Sequence, residues 1–275
     1  MEFVSRVVKK IKLKKFTVQE ESTLKIFTDN NYAQASFVFR TLLKEREIKV
    51  NGVKVGSDVL LKKGDEVQYF LTPTQEKKQA FAVVYEDENV LVVDKESGVN
   101  SEAVFAALQL YPIHRLDRNT AGLLILAKTK EAEEELLSAF KERRVEKIYH
   151  ALVVGEMPKK HAVEEAYLEK GENGVKIGTR GEKIVTEYEV LEEFADSSLL
   201  KITLHTGKTH QIRAHMAYLG HPVVGDEKYG DSAYNKKVHA TRQKLLAKSL
   251  TLQTEGGLGY LSGKTFTSEK FLKNA

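Results

Sequence analysis

The chain has 275 residues, 41% of them apolar and 30% charged, with 43 Lys and Arg against 39 Asp and Glu. That length suits one large domain with a small one beside it, and the lack of cysteine excludes disulfides, thiolate metal sites and a cysteine nucleophile. No apolar run approaches the roughly 18 uncharged residues of a membrane helix, and no signal-peptide stretch opens the sequence, so a soluble, cytoplasmic protein is expected. The charge is unevenly spread: residues 1–78 hold 16 Lys and Arg against 10 Asp and Glu, or +6, and the other 197 hold 27 against 29, or −2.

The basic quarter opens with Lys9, Lys10, Lys12, Lys14 and Lys15 interleaved with Ile11 and Leu13. This pattern suits an anionic polymer, and it is short for an amphipathic membrane anchor. Residues 33–43 space apolar side chains for one helical face, with Lys44 and Arg46 near the end, where cations favour the helix dipole. Ile48-Lys49-Val50, Asn51-Gly52 and Val53-Lys54-Val55 then read as a hairpin, and Lys63-Gly64-Asp65 turns into a strand over Glu66–Phe70. The stretch "LLKEREIKVNGVKVGSDVLLKKGDEVQYF" resembles the alphaL-type, S-four-like RNA-binding module shared with a small-subunit ribosomal protein. The resemblance implies RNA contacts from the basic helix face and following loop, here Arg40, Lys44, Arg46 and Lys49, although the early helix carries Ala and Phe where such modules present Ser and Arg. A small domain over 1–72 and a polar linker over 73–80, opened by Thr72-Pro73, are expected.

In the remainder, 81–275, Phe81–Tyr85 and Val90–Asp94 read as paired strands and Leu123–Leu126 as a buried one. Lys130–Arg144 is a helix with acids early and bases late. Ile148–Val154, Ile184–Leu191 and Leu199–His205 alternate as strands, and Thr209–Leu219 is a helix that Gly220 stops. Strands adjoin too often for a doubly wound parallel fold, so the class is α+β with a mixed, largely antiparallel sheet.

Three segments place polar side chains as if to converge. In the first, His114-Arg115-Leu116-Asp117-Arg118 seats one carboxylate among cationic groups ahead of an apolar strand, where it is a candidate nucleophile or base and otherwise a surface ion cluster. In the second, Tyr149 opens a strand, a position most often used for core packing. The third runs His205-Thr206-Gly207-Lys208-Thr209-His210-Gln211-Ile212-Arg213-Ala214-His215, from strand end to helix start. Its histidines recur every five residues, which does not align them for a metal; there is also no Gly-x-Ser-x-Gly elbow, Walker loop or Rossmann fingerprint. A carboxylate acting without metal or nucleotide cofactor is what remains.

Read together, "HRLDRNTAGLLILAK", "EKIYHALVVG", "GEKIVTEYEVL" and "HTGKTHQIRAHMAYLGHPVVGDEKYG" closely resemble RluA-type RNA pseudouridine synthases, in family order over roughly 150 residues. The resemblance implies that Asp117 is the catalytic aspartate. It implies that Arg115 and His114 bind the substrate, Arg115 entering the RNA to extrude a uridine, that Tyr149 stacks on the flipped uracil and is a candidate base, and that Arg213 pairs with the carboxylate. Breaking the glycosidic C–N bond, turning uracil and forming a C–C bond requires no oxidant and no added group, so no cofactor is expected. Structured ribosomal or transfer RNA is the expected partner and a monomer the expected state. The chain departs from the family with Glu96 in place of a proline, Ala121 for a common Ser, and a last segment lacking the usual His-Pro pair. The rival readings are a non-catalytic RNA-binding or ribosome-assembly protein on the same fold, which has no need of the Asp117, Tyr149 and Arg213 set, and an RNA glycosidase that releases free uracil.

Overall fold

The computed structural model describes residues 12–171 and 174–272, so Lys9, Lys10 and Ile11 of the basic segment lie outside the described residues. The chain forms two compact units, one from residues up to 80 with 99–109, the other from 81–98 with 110 onward.

In the first unit a four-stranded sheet runs, in spatial order, Lys12–Thr17, Glu66–Leu71, Ile48–Val50 and Val53–Lys54. Asn51 and Gly52 both take positive φ (49° and 80°) in the two-residue turn, the backbone twist a tight hairpin needs. The expected single helix over 33–43 is two, Ala33–Phe37 and Phe39–Lys44, and the break lies at Val38, which leaves helical geometry at φ −120° and ψ 17°. Leu24, Leu42, Ile48, Leu61, Val67, Tyr69 and Leu71 form the core. Lys14 and Lys15 face Glu76 and Glu66 at 3.4 and 3.3 Å, so part of the basic strand's charge is already met. The segment read as a linker starts with a short helix, Pro73–Glu76, closed by a capping box between Thr72 and Gln75. Its polar composition conceals this. The helix Ser101–Leu108 also packs in this unit, against Leu24–Asn31, with Asn100 Nδ2 donating to Asn30 Oδ1 at 2.8 Å.

The second unit is built on an 11-stranded sheet. Its main path runs Gly174–Gly178, His161–Gly171, Glu182–Glu193, Ser197–Leu204, Val145–Val154, Leu245–Leu252, Ala121–Ala127, Val90–Lys95 and Phe81–Glu86. Among the described residues every pairing in it is antiparallel except one, where Ala121 and Gly122 run parallel to Leu246 and Ala247. The sheet is therefore mixed and largely antiparallel. The helix Lys130–Lys141 is capped by Thr129 and packs Ala132, Leu136 and Ala139 against Leu123, Ile125 and Val145. The helix Gln211–Tyr218 packs Ile212 and Met216 against Ala151, Val153, Leu200 and Ile202. Leu200 and Ile202 are buried together, as strand alternation requires. Among the described residues no helix is long and apolar enough to cross a membrane.

The parallel joint depends on Gly122. Its φ is +114°, and a Cβ there would lie 2.3 Å from the Ala247 carbonyl oxygen and 2.6 Å from its nitrogen. Gly98 also has positive φ, +87°, with nothing within 4 Å of a Cβ. Gly122→Ala is therefore expected to cost about 3 kcal/mol or more and Gly98→Ala only about 1 kcal/mol, as read from urea unfolding midpoints.

His215 sits fully buried on the Gln211–Tyr218 helix, with Nδ1 3.0 Å from Thr186 Oγ1 and Nε2 without a hydrogen-bond partner. Burial lowers its pKa to about 4. The unfolded histidine titrates near 6.5, so between these values the unfolded chain takes up a proton that the folded chain refuses. This contribution is full above pH 6.5 and is lost as the pH falls towards 4. Between pH 7.5 and pH 5 the wild type is expected to lose about 2 kcal/mol from this source. His215→Gln should flatten that part of the pH dependence of the unfolding midpoint.

Candidate active site

A cavity of about 420 Å³ in the second unit is lined by His114, Arg115, Asp117, Lys147, Tyr149, His210 and Arg213, among others. Three separate stretches supply these side chains. Asp117 lies in the loop between the Tyr111–Pro112 strand and Ala121–Ala127; Tyr149 is on Val145–Val154; Arg213 is in the first turn of Gln211–Tyr218.

The Asp117 loop is pinned through its neighbours. The Arg118 carbonyl accepts from Gly98 N–H at 2.8 Å and from the buried Lys95 Nζ at 3.2 Å, and the Asn119 carbonyl accepts from Ser97 Oγ at 2.9 Å. Thr120 N–H closes a turn on the Asp117 carbonyl at 3.1 Å, and Gln243 Nε2 donates to Thr120 Oγ1 at 3.0 Å. The Asp117 side chain, a quarter exposed, is thereby held at the cavity wall.

Arg213 is nearly buried and its guanidinium is shared between two carboxylates. Nε and Nη2 donate to Asp226 Oδ2 and Oδ1 at 2.6 and 3.0 Å, and Nη1 donates to Asp117 Oδ2 at 2.9 Å. Burial works against the Arg213 charge, and the bonds to Asp226 and Asp117 more than offset it. Burial likewise opposes the Asp226 charge, yet Arg213 and the N–H groups of Tyr229 and Lys228 hold its carboxyl below the usual range. This fork fits guanidinium geometry, which lysine cannot reproduce.

Tyr149 stands at a β-bulge: Ile148 pairs with Ser249 but Tyr149 with Ala247, and such an extra residue re-aims a side chain. Burial, then the Asp117 charge, pushes its phenol pKa up, so the hydroxyl stays protonated through neutral pH. As a base it is therefore handicapped; as an apolar platform it is well suited. His114 lines the same cavity but is tied down: Nε2 accepts from Ile125 N–H at 3.2 Å and its ring stacks on Phe140 at 4.8 Å. Burial, with Lys147 nearby, lowers its pKa to about 3, which makes it a neutral anchor for the start of the loop. Arg115 is exposed at the cavity.

Arg40, Lys44, Arg46 and Lys49 belong to the first unit and do not line this cavity. Arg40 and Lys44 stand four residues apart on Phe39–Lys44, hence on one face, and both are exposed. Lys49 lies over the Phe70 ring at 5.4 Å. Among the described residues none of the four has a carboxylate partner.

Sequence reasoning does not single out Asp226, Tyr229 or Lys147, and it weighs His210 only as a metal ligand. Asp226 and Tyr229 are within its reach, since both fall in the GDEKYG segment; Lys147 offers no signal of its own. The three histidines spaced by five turn to different partners: His205 to Glu187, His210 to Tyr229 and His215 to Thr186.

A family model described as RNA pseudouridylate synthase matches residues 76–218. Among curated proteins, the ribosomal large subunit pseudouridine synthase C of Vibrio cholerae is 32% identical over 232 residues, covering 73% of this chain and 73% of that protein. The protein of the same name from Escherichia coli strain K12 is 30% identical over 236 residues, covering 74% of each. Among solved structures, human RNA pseudouridylate synthase domain containing 1 superposes with a TM-score of 0.58 at 29% identity, covering 64% of this chain and 79% of its own. A match over more than half the chain, joined to relatives aligned along most of their length, leads to one conclusion: the chain belongs to the RNA pseudouridylate synthase family.

Proposed function

We propose that this chain converts uridine to pseudouridine in ribosomal RNA of the large subunit. Asp117 is the acting carboxylate, Arg213 its guanidinium partner, Tyr149 the ring that receives the flipped uracil and Arg115 the side chain that enters the RNA. The observation that carries the reading is the Arg213 Nη1 bond to Asp117 Oδ2, 2.9 Å, at the wall of a cavity that also presents Tyr149. The names of the bacterial relatives support ribosomal over transfer RNA.

The chemistry follows from the groups present. One carboxylate oxygen, Oδ2, is occupied by Arg213, so Oδ1 remains for the substrate. It can attack ribose C1′ or take the proton from C2′; either route releases uracil with the C1′–N1 bonding pair on its ring. After the ring turns, C5 bonds to C1′ as the Asp117 carboxylate leaves C1′ or, on the other route, as Asp117 returns the proton to C2′; the proton on C5 then departs and N1 gains one, which balances without oxidant or cofactor. A uridine inside a stacked helix cannot reach this cavity, so flipping precedes chemistry. In the same reading the first unit is an S-four-like RNA grip, with Arg40, Lys44, Arg46 and Lys49 on phosphates, and the enzyme acts in the cytoplasm as a monomer.

Pseudouridine mapping by carbodiimide and primer extension, in large-subunit and transfer RNA from cells with and without the gene, is expected to lose discrete stops in the large-subunit RNA. Purified Asp117→Asn should bind RNA within about twofold of wild type and form no product; retained turnover would sink the assignment of Asp117. Neutralising Arg40, Lys44 and Lys49 together to Gln should reduce the slope of log binding constant against log salt by about 0.7–0.9 for each phosphate that is no longer neutralised. The rate at saturating enzyme should stay the same, and an unchanged slope would place the RNA grip elsewhere.

A further inference from the structure

His210 is the one histidine of its segment whose geometry is directed at Asp117. Its backbone is left-handed, φ 55° and ψ 18°, unusual for a residue with a side chain, and the strain sits at the start of the helix that carries Arg213. That conformation puts the ring in the cavity, with Nε2 3.8 Å from Asp117 Oδ1, the carboxylate oxygen that Arg213 leaves unoccupied.

The other ring nitrogen bears on the tautomer. His210 Nδ1 lies 3.0 Å from Tyr229 Oη, and the same oxygen accepts Val175 N–H at 3.2 Å. Val175 N–H takes one lone pair of that oxygen, and in the arrangement where the phenol donates its single proton to Nδ1 the imidazole proton is assigned to Nε2, facing Asp117. The ring stays neutral because burial lowers its pKa; Asp117 and Asp226 pull the other way, and Arg213 and Lys228 reinforce burial.

We propose that His210 is a further catalytic residue, donating a hydrogen bond from Nε2–H to the O2 carbonyl of uracil as the glycosidic bond breaks. The inference rests on the reading of Asp117 as the carboxylate that acts at the ribose. If Asp117 Oδ1 works at C1′ or at the adjoining C2′–H, a donor beside that oxygen faces the uracil carbon next to N1, which carries O2. The electron pair released from C1′–N1 is shared between N1 and O2, so a neutral donor there meets charge that exists only once the bond opens. His210 keeps its proton throughout. It is thus distinct from the base that takes the C5 proton.

The test uses the full chain and an RNA hairpin carrying a uridine that the mapping identifies, with either uridine or 2-thiouridine at that position. Sulfur at C2 is a poor hydrogen-bond acceptor. His210→Asn tolerates the left-handed backbone and is too short to reach, so its single-turnover rate should fall about 100-fold with RNA affinity within about twofold of wild type. Wild type should slow comparably on 2-thiouridine, and His210→Asn should lose nothing further. Tyr229→Phe, which keeps the ring and frees Nδ1, should slow about tenfold. A His210→Asn rate within about threefold of wild type, or losses that multiply on 2-thiouridine, would overturn the proposal while leaving Asp117 in place. A wild-type enzyme that leaves uridine unchanged in that hairpin would overturn both.

Discussion

The Arg213 guanidinium, divided between Asp226 and Asp117, is the interaction on which the site depends. Asp226 is fully buried and takes two of the three donor directions, Nε and Nη2, so that only Nη1 reaches Asp117. Without that clamp a guanidinium next to an aspartate would settle as a two-pronged pair and occupy both carboxylate oxygens. Asp226 thus does more than hold Arg213 still. It leaves Asp117 Oδ1 open to the cavity, facing His210. Two carboxylates and one guanidinium carry a net negative charge in a largely buried place, a balance that the Tyr229 and Lys228 N–H groups help to satisfy at Asp226.

This arrangement needs the Asp117 loop delivered to within 3 Å of a helix that begins 94 residues later in the chain. The parallel contact of Ala121 and Gly122 with Leu246 and Ala247 does so, because it joins the strand that follows the loop to the one beside the Tyr149 strand. Only glycine permits the approach at 122. On the other side of the loop, the turn after Val90–Lys95 grips Arg118 and Asn119. There Lys270 contacts Glu96 Oε1 at 2.8 Å and Asp94 Oδ1 at 2.7 Å, while Ser268 Oγ donates to Asp94 Oδ2 at 2.5 Å. The last segment and this turn therefore meet each other.

Much of this is legible in the chain. Period-two alternation locates Glu182–Glu193 and Ser197–Leu204, the acid-to-base gradient locates Lys130–Lys141, and Asn51-Gly52 locates the hairpin, because each is a local preference written over a few neighbouring residues. Asp117, Arg115, Tyr149 and Arg213 also stand out in the motifs, and they line one cavity. The strand Leu245–Leu252 does not, although it lies at the middle of the sheet, since its buried start, Leu245-Leu246-Ala247, is an unbroken apolar run with no alternation to read. The helix Ser101–Leu108 is equally hidden, and its place in the first unit is invisible to composition, because it is decided by packing against Leu24–Asn31.

By itself the sequence determined the family and the α+β class, because those rest on residue type and order. Tertiary structure alone decided which oxygen of Asp117 the Arg213 guanidinium takes, that His114 is a neutral anchor and that the Tyr149 phenol keeps its proton. Each of these is a matter of desolvation and of hydrogen bonds between groups far apart in the chain, and neither has a signature in the order of the residues.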